Sequence, residues 1–371
     1  MALFKYFRCG IYMDKALRYN ELYFSANHEL NDPNDLVSYY IFEDDESLWI
    51  KLFNLSKKTD VFKSININGF GENFIKDINS FFKDRKFFSD WSGLNNFFEK
   101  IDNKLDRFLT PYISDLPYED VIEENPNNLS QKKILFKFML KELLARGINL
   151  KFFSISFSAD ALNPIMWAHY ADGFKGCVII YEAKNNFIDI SESLYSNEFF
   201  KIEILNVTYE DNNKNIPILT CAVGGNKSKS IQEKLAMKNS FWKYENEKRA
   251  LICIEREPIL LCTKDKVNDS PRELIFHHRP NEIIGIIFGP NLKEEIQRKI
   301  EYSLRHNKYH SKAGNFHCFR TELKSSGDII IKSGTECIVK NSSDNSLSQA
   351  SRILNAVELE KLTKELEIVK D

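Results

Sequence analysis

The stretch NPIMWAHYADGFKG, residues 163–176, places an aromatic-rich segment between turn-forming residues. Asn163 is a suitable N-cap, and Pro164 suits the first helical position, where its missing N–H would have no intrahelical partner anyway. Gly173 suits the left-handed conformation that commonly follows the last turn of a helix. The stretch therefore predicts a helix of about two and a half turns.

This short helix carries three large rings that can form hydrogen bonds, on Trp167, His169 and Tyr170. Met166 and Tyr170 are four residues apart and share one face, with Trp167 beside them. One interpretation is that the rings simply pack the helix against a sheet. The other is that they form a wall of a ligand cleft.

The segment just before the helix, FSISFS at residues 153–158, alternates serine with apolar residues. On a strand, Ser154, Ser156 and Ser158 share one face and the apolar side chains share the other. A hydroxyl-lined face beside an aromatic helix suits a flat ring with polar edges, such as nicotinamide or a nucleobase. The alternative is a polar strand face turned to solvent.

Paired carboxylates occur in KNSFWKYENEKRALICIE, residues 238–255. A strand beginning near Tyr244 would project Glu245, Glu247 and Arg249 to one face, with the two carboxylates about 6–7 Å apart. Breaking an N-glycosidic bond passes through an oxocarbenium-like state, and a carboxylate bonded to the sugar 2-hydroxyl stabilises that positive charge. The alternative is a charged outer strand face carrying a Glu–Arg pair.

A third group is LNDPNDL, residues 30–36, where Asn, Asp and Pro favour a turn. It is either a plain turn or a loop that positions a ligand bearing phosphate or ribose. In the second case, Asn31 and Asp32 are the residues expected to contact the ligand.

Composition narrows the functional classes. The formal net charge of −2 gives no basic excess for coating nucleic acid, and the 43% hydrophobic content supports a substantial core. No run of 18 apolar residues predicts a membrane span, and no signal-peptide pattern is found at the N-terminus. The seven cysteines form no C-x-x-C pair. We therefore expect a cytoplasmic protein with reduced thiols and no metal site.

The order of predicted elements indicates an α+β fold with three parts. Strand-rich segments at 1–39 and 149–335 are expected to form one core, and 40–148 a mainly helical insertion. The segment 336–371 is expected to hold a linker, KNSSDNSLSQAS at 340–351, and a C-terminal amphipathic helix at about 350–368.

Four ordered blocks resemble a bacterial family known as domain of unknown function 2971. These blocks are ELYFSANHELNDPND (21–35), FFSISFSADALNPIMWAHYADGFKGCVIIYE (152–182), KNSFWKYENEKR (238–249) and EIIGIIFGP (282–290). The chain departs from the family pattern at Asn34, where an aromatic residue is usual, and at Phe174, where histidine is usual.

The layout of these blocks is in turn similar to that of the ADP-ribosyltransferase superfamily. The resemblance implies a split mixed β-sheet of that type and NAD as co-substrate, with no metal. It matches Glu245 and Glu247 to the E-x-E pair of arginine-modifying members, and Tyr170, or Trp167 beside it, to a tyrosine that stacks on nicotinamide. The remaining expected NAD-binding residues are His169, Ser156, Ser158 and, as first-strand candidates, Lys5, Tyr6 or Arg8.

The resemblance implies transfer of ADP-ribose from NAD⁺ to a protein, RNA or DNA acceptor. Glu247 would stabilise the oxocarbenium-like ribose, Glu245 would orient or deprotonate the acceptor, and Arg249 would hold the carboxylates or a diphosphate. It also implies a role as a toxin or anti-phage effector, with a possible regulatory partner protein. The alternatives are NAD⁺ hydrolysis to free ADP-ribose and a non-catalytic module that binds a nucleotide or a partner chain.

Overall fold

The computed structural model describes residues 1–32, 34–36, 38–56, 72–88, 91–113, 129–148, 150–211, 215–224, 227–255, 274–340 and 348–369. The helices are α1 (Ile11–Tyr19), α2 (Glu46–Ser56), α3 (Glu72–Phe82), α4 (Trp91–Ile113), α5 (Leu129–Ala145), α6 (Pro164–Tyr170), α7 (Ile218–Val223), α8 (Lys227–Leu235), α9 (Glu294–His310) and α10 (Ala356–Glu365). The strands are β1 (Ala2–Phe7), β2 (Glu21–Tyr23), β3 (Tyr39–Ile41), β4 (Lys86–Phe88), β5 (Leu150–Ser158), β6 (Cys177–Glu182), β7 (Phe187–Ser191), β8 (Phe200–Asn206), β9 (Thr208–Tyr209), β10 (Asn215–Pro217), β11 (Met237–Lys238), β12 (Glu247–Glu255), β13 (Ile275–His278), β14 (Ile283–Phe288), β15 (Phe316–Leu323), β16 (Ile329–Lys340) and β17 (Ser348–Ile353).

The main structural element is a sheet of twelve strands in the order β17-β16-β15-β14-β6-β1-β5-β12-β8-β7-β13-β2. Its neighbours pair antiparallel, except for the parallel pair β14 and β15. The sheet is therefore mixed, and together with the helices it confirms the predicted α+β class. None of the described helices has the length and apolar character needed to cross a membrane.

The sheet is nearly interrupted between β1 and β5. Strand β1 pairs with β6 along its whole length, but it pairs with β5 only at Phe4, opposite Ser158. Beyond that position a side chain bridges the two strands, because Lys5 Nζ donates a hydrogen bond of 3.0 Å to the carbonyl of Ser156. Side chains of β1 and β5 can therefore line a cavity in this part of the sheet.

Both faces of the sheet are covered by apolar clusters. Strand β6 is buried on both sides, since Ile179 and Tyr181 pack in one cluster while Val178 and Ile180 pack in the other. The first cluster also contains side chains of α1 and α9, and the second contains Trp167 of α6. A central strand buried on both faces needs this continuous apolar sequence.

The described residues between 40 and 148 form helices α2, α3, α4 and α5, together with β4 and most of β3. Their apolar side chains share one cluster with α7, α8 and Leu251 of β12. Strand β10 also pairs with β3. This helical layer therefore continues into residues 216–235, beyond the predicted insertion, while the division into domains stays a prediction.

The C-terminal segment corrects the sequence analysis. Part of the predicted linker, residues 348–351, belongs to β17, which pairs antiparallel with β16 at the end of the sheet. The amphipathic helix expected from residue 350 begins only at Ala356, after the N-cap Asn355. Small polar residues are tolerated in an edge strand because only one side of such a strand must pair. Residues 341–347 of the predicted linker lie outside the described residues.

Helix α6 forms as predicted, although it spans only seven residues. The Asn163 carboxamide oxygen accepts hydrogen bonds from the backbone N–H groups of Ile165, at 2.9 Å, and Met166, at 3.5 Å. Its Nδ2 donates to the carbonyl of Tyr244 at 2.8 Å. Gly173 has the expected left-handed φ of 58°. Asn163 thus fixes the start of α6 and ties it to the segment that carries Glu245.

We expect Asn163→Ala to lower the free energy of unfolding by about 1–2 kcal/mol, because it removes an N-cap and the bond to Tyr244. Urea denaturation measures the change. Asn355→Ala is the control, since the Asn355 side chain caps α10 through the Glu358 N–H at 2.9 Å. A loss in Asn163→Ala no larger than in the control would argue against the link between α6 and Tyr244.

Candidate functional site

A cavity of about 230 Å³ opens beside α6, at the place where β1 and β5 separate. Its walls come from β1, β5, α6, the loop around residue 31, and the segment that joins β11 to β12. Nine residues predicted for the site line this cavity: Lys5, Tyr6, Asn31, Asp32, Ser156, Ser158, Tyr170, Glu245 and Glu247.

The serine face of β5 is as predicted. Ile155 and Phe157 pack in the core cluster and also border the cavity, and Ser156 and Ser158 place their hydroxyls at its lining. The Ser156 hydroxyl donates to Glu247 Oε1 at 2.5 Å, and the Ser158 hydroxyl donates to the backbone carbonyl of Glu245 at 2.7 Å. The two serines therefore orient the acidic segment as well as lining the cavity.

The expectation that a strand begins near Tyr244 is wrong. Residues Ser240–Glu245 form a 3-10 helix, Asn246 adopts a left-handed φ of 45°, and β12 begins at Glu247. Asparagine tolerates this conformation better than most residues, so a turn is possible between the two glutamates. Glu245 and Glu247 still line one cavity, but they do so from a turn and a strand rather than from two positions of a single strand.

Lys238 lies between the two carboxylates. Its Nζ is 2.6 Å from Glu245 Oε2, 3.3 Å from Glu247 Oε2 and 3.6 Å from Asp35 Oδ2. Burial lowers the pKa of Lys238, but the facing carboxylates outweigh that effect and raise the pKa above its ordinary value. Burial also raises the pKa of Glu245, and Lys238 opposes the rise. Lys238 is therefore a permanent cation at neutral pH.

Arg249 is fully buried beneath the cavity. Its guanidinium donates to both carboxylate oxygens of Asp35, at 2.7 and 2.8 Å, and to the carbonyl of Leu235 at 2.9 Å. Its Nε donates to Glu247 Oε1 at 2.8 Å. Arg249 holds carboxylates in this structure, as one of its two expected roles requires, and no part of the residue is exposed to a diphosphate. Arg249 is thus a positioning residue for Glu247.

Tyr170 is hydrogen bonded to an acidic residue of the site. Its hydroxyl donates to Glu245 Oε1 at 2.6 Å. Burial raises the pKa of Tyr170 above its ordinary value, and Glu245 adds to the rise. The phenol therefore stays protonated, and the bond to Glu245 fixes the orientation of the ring at the cavity wall.

The two first-strand candidates that line the cavity have different environments. Burial lowers the pKa of Lys5 to about 8, an effect that Glu247 partly offsets, so its amine is mostly charged at neutral pH. The Tyr6 hydroxyl donates to the carbonyl of Asp160 at 2.7 Å, and its ring packs edge-on against Trp167 at 5.6 Å. Lys5 is therefore the stronger candidate for a contact with a polar ligand.

The predicted loop contributes Asn31 and Asp32 to the cavity lining. Asp32 Oδ1 accepts a hydrogen bond from the Asn34 N–H at 2.9 Å, which is the side-chain-to-backbone turn expected of Asp at this place. Pro33 of the same motif lies outside the described residues.

Two predicted cofactor-binding residues do not belong to the cavity lining in the described part of the chain. Trp167 is fully buried in the core, where its Nε1 donates to the carbonyl of Ala161 at 2.9 Å. His169 lies on the exposed side of α6, with Nδ1 3.3 Å from the Tyr244 hydroxyl. The packing interpretation is therefore correct for Trp167. Arg8, a third first-strand candidate, donates a hydrogen bond to the carbonyl of His169 at 3.4 Å.

Sequence analysis missed two residues of the charged group, Lys238 and Asp35. Asp35 stands in the quoted LNDPNDL motif, and Lys238 begins the quoted block that contains Glu245 and Glu247. Arg249 gave a signal in the sequence for such a partner, because an arginine on the inner face of a strand requires buried acidic partners. That rule calls for a further carboxylate, although it does not say which one.

Comparison with known proteins finds one family. The family described as a protein of unknown function (DUF2971) matches residues 166–250, which run from α6 into β12. This segment includes Tyr170, Glu245 and Glu247, so the match supports the resemblance to that family in the part of the chain that carries these three residues. No curated protein and no solved structure matches the chain.

We expect Arg249→Met to lower the free energy of unfolding by about 3–5 kcal/mol, because Asp35 and Glu247 would keep buried charges without their arginine. Thermal and urea unfolding measure the loss. Arg298→Met is the control, because Arg298 forms an exposed pair with Glu294 at 3.2 Å and its removal is expected to change little. An Arg249→Met protein within about 1 kcal/mol of wild type would contradict the structural role of the network.

Proposed function

We propose that the cavity binds NAD⁺ and that the protein transfers ADP-ribose from it to a macromolecular acceptor. The observation that carries the proposal is the shared cavity of Glu245, Glu247, Tyr170 and the two serines. Its volume of about 230 Å³ is below the range of about 300–1,000 Å³ that holds a whole ligand of drug size. We therefore infer that nicotinamide and its ribose enter the cavity and that the adenylate half lies at its mouth.

Glu247 is the proposed catalytic carboxylate. In the reaction the bond between the ribose C1′ and the nicotinamide nitrogen breaks, and its electron pair leaves with nicotinamide. Positive charge develops on the ribose, and a carboxylate bonded to the 2′-hydroxyl stabilises it. Among the described residues, Ser156 and Arg249 bond to Oε1 of Glu247, whereas Oε2 has only the longer 3.3 Å contact with Lys238. Oε2 is therefore the oxygen assigned to the ribose.

Glu245 is proposed to receive the proton of the attacking acceptor. Its raised pKa moves the group towards the range in which a general base works well. The ion pair with Lys238 at 2.6 Å keeps it ionised until the acceptor arrives. The acceptor nucleophile then forms a bond to C1′ and gives its proton to Glu245.

Two alternatives use the same cavity. Water in place of the acceptor would make the protein an NAD⁺ hydrolase that releases ADP-ribose. A non-catalytic binding role is favoured by one observation, since each oxygen of Glu245 and Glu247 already has a partner within the protein. Incubating the purified chain with labelled NAD⁺ and cell lysate separates the three, because label appears on a macromolecule, as free ADP-ribose, or only as unreacted NAD⁺.

For the cellular role, we propose a bacterial toxin or an anti-phage effector. The proposal rests on the resemblance to ADP-ribosyltransferases, whose bacterial members often act in this way. A regulatory partner protein that limits NAD⁺ consumption would fit this role. The acceptor is the macromolecule that carries label in the lysate experiment.

We expect Glu247→Gln to reduce NAD⁺ consumption about 100-fold or more, because the amide cannot supply the negative charge that stabilises the transition state. The release of nicotinamide measures the rate. Glu282→Gln is a matched control, since Glu282 is also buried and burial raises its pKa to about 8, so that it is mostly protonated at pH 7. Full nicotinamide release by Glu247→Gln would contradict the catalytic role of Glu247, whereas a wild-type protein that binds NAD⁺ without releasing nicotinamide would leave the binding role as the surviving alternative.

Tyr170 is tested by two substitutions that separate the ring from the hydroxyl. We expect Tyr170→Ala to weaken NAD⁺ binding about tenfold in calorimetry, since it removes an aromatic stack. Tyr170→Phe keeps the ring, so it is expected to bind NAD⁺ nearly as well but to turn it over more slowly, because the Glu245 carboxylate loses the hydrogen bond that holds it in position. Tyr302→Ala, at an exposed position on α9, is the control. Unchanged affinity in Tyr170→Ala would remove the stacking role.

A further inference from the structure

A second group of polar side chains lies where α9 packs on β15 and β16, outside the cavity described above. Cys318 and Cys337 are free thiols buried on neighbouring strands, with their sulfurs 3.7 Å apart. Glu301 of α9 reaches them, and its Oε1 is 3.5 Å from the Cys337 sulfur. The three ligand atoms all lie within 4.8 Å of one another.

These separations correspond to those of ligands around one tetrahedral metal ion. With Zn–S bonds of about 2.3 Å and Zn–O bonds of about 2.0–2.2 Å, two sulfurs lie about 3.8 Å apart, and a sulfur and an oxygen about 3.5–3.7 Å apart. The observed 3.7 and 3.5 Å agree with both values. An ion could therefore bind between the three groups with only small side-chain movements.

We propose that Cys318, Cys337 and Glu301 bind a divalent metal ion of the zinc type, with water as the fourth ligand. Sulfur ligands select zinc over magnesium or calcium, which prefer oxygen. A cavity of about 630 Å³, which Glu301 and Arg305 line, lies beside the carboxylate ligand and is the expected source of that water. The site is independent of the proposed NAD⁺ cavity.

Arg305 would contact the ligands of the ion rather than the ion itself. Its guanidinium is 2.6 Å from Glu301 Oε1 and 3.0 Å from the Cys337 sulfur, so it donates to two of the three ligands. Such partners orient metal ligands. Two thiolates and one carboxylate carry three negative charges, and a divalent ion with Arg305 carries three positive charges. The largely buried group would therefore be neutral once both thiols have lost their protons.

Strand pairing explains why this site has no recognisable ligand spacing in the sequence. Cys337 is opposite Phe316, and Cys318 is opposite Thr335, so the two cysteines are diagonal neighbours on one face of an antiparallel pair. Diagonal side chains on such a pair lie within reach of each other. A bound ion would join the β15–β16 pair to α9, so we expect it to stabilise this end of the sheet.

The test uses the full chain, purified under reducing conditions and freed of metal with a chelator. Zinc is titrated in competition with a coloured chelator, and cobalt is added separately because thiolate–cobalt bonds give a charge-transfer absorption. We expect one zinc ion per chain, a cobalt–thiolate band, and a higher unfolding temperature with zinc. Cys318→Ser and Cys337→Ser should lose all three effects, and Glu301→Gln should bind zinc at least tenfold more weakly.

Two controls exclude other zinc ligands. Cys221→Ser removes a buried cysteine elsewhere and should bind zinc like wild type. The double substitution His306→Gln, His310→Gln is needed because the exposed His306 and His310 have Nε2 atoms 3.1 Å apart on α9. Cys318→Ala and Cys337→Ala serve as second variants if either serine protein fails to fold.

The proposal is overturned if the cobalt–thiolate band survives in the cysteine variants, or if zinc binding disappears only in the double histidine variant. It is also overturned if reduced wild type takes up no zinc, whether or not peroxide then joins the two thiols as a disulfide with loss of two hydrogens in the mass. None of these results depends on NAD⁺ consumption, so failure of this site and failure of the proposed function are distinguishable.

Discussion

The bidentate bond between Arg249 and Asp35 is the interaction on which the site depends. Arg249 is fully buried in β12, and a charge removed from water in this way is tolerated only when partners surround it. Asp35 supplies that partner from a loop 214 residues away in the chain. The loop must therefore close over the sheet, and in doing so it brings Asn31 and Asp32 to the cavity. The same guanidinium holds Glu247. The ion network that stabilises the fold around Arg249 therefore also fixes the position of Glu247 in the site.

Much of the fold could be predicted from local sequence because the relevant patterns are local. The alternation of serine and apolar residues in β5, the cap at Asn163 and the left-handed Gly173 each depend on neighbouring residues, and each is present. The convergence of Glu245 and Glu247 was also predicted, but for an incorrect local reason. The 3-10 helix is capped locally by Asn239, but the hydrogen bonds that tie it to Ser158 and Asn163 come from distant segments, which a single segment does not reveal.

The other errors also arise from tertiary context. Trp167 carries an aromatic ring of the kind that stacks on ligands, but the sheet beneath α6 buries it completely. Residues 348–351 have the composition of a linker, but β16 offers them an unpaired edge and they form β17. Lys238 looks like a surface lysine in sequence, and only the fold surrounds it with three carboxylates. In each case the packing of the folded chain outweighs a weak local preference.

The bond from the Tyr170 hydroxyl to Glu245 has a thermodynamic consequence. That donor favours the ionised form of Glu245, because a hydrogen bond to a carboxylate stabilises its charge. Any molecule that turns the Tyr170 ring away withdraws the donor and makes Glu245 a stronger proton acceptor. Occupancy of the pocket and proton uptake are then linked, and by reciprocity the acidity of the medium controls how firmly such a molecule is held.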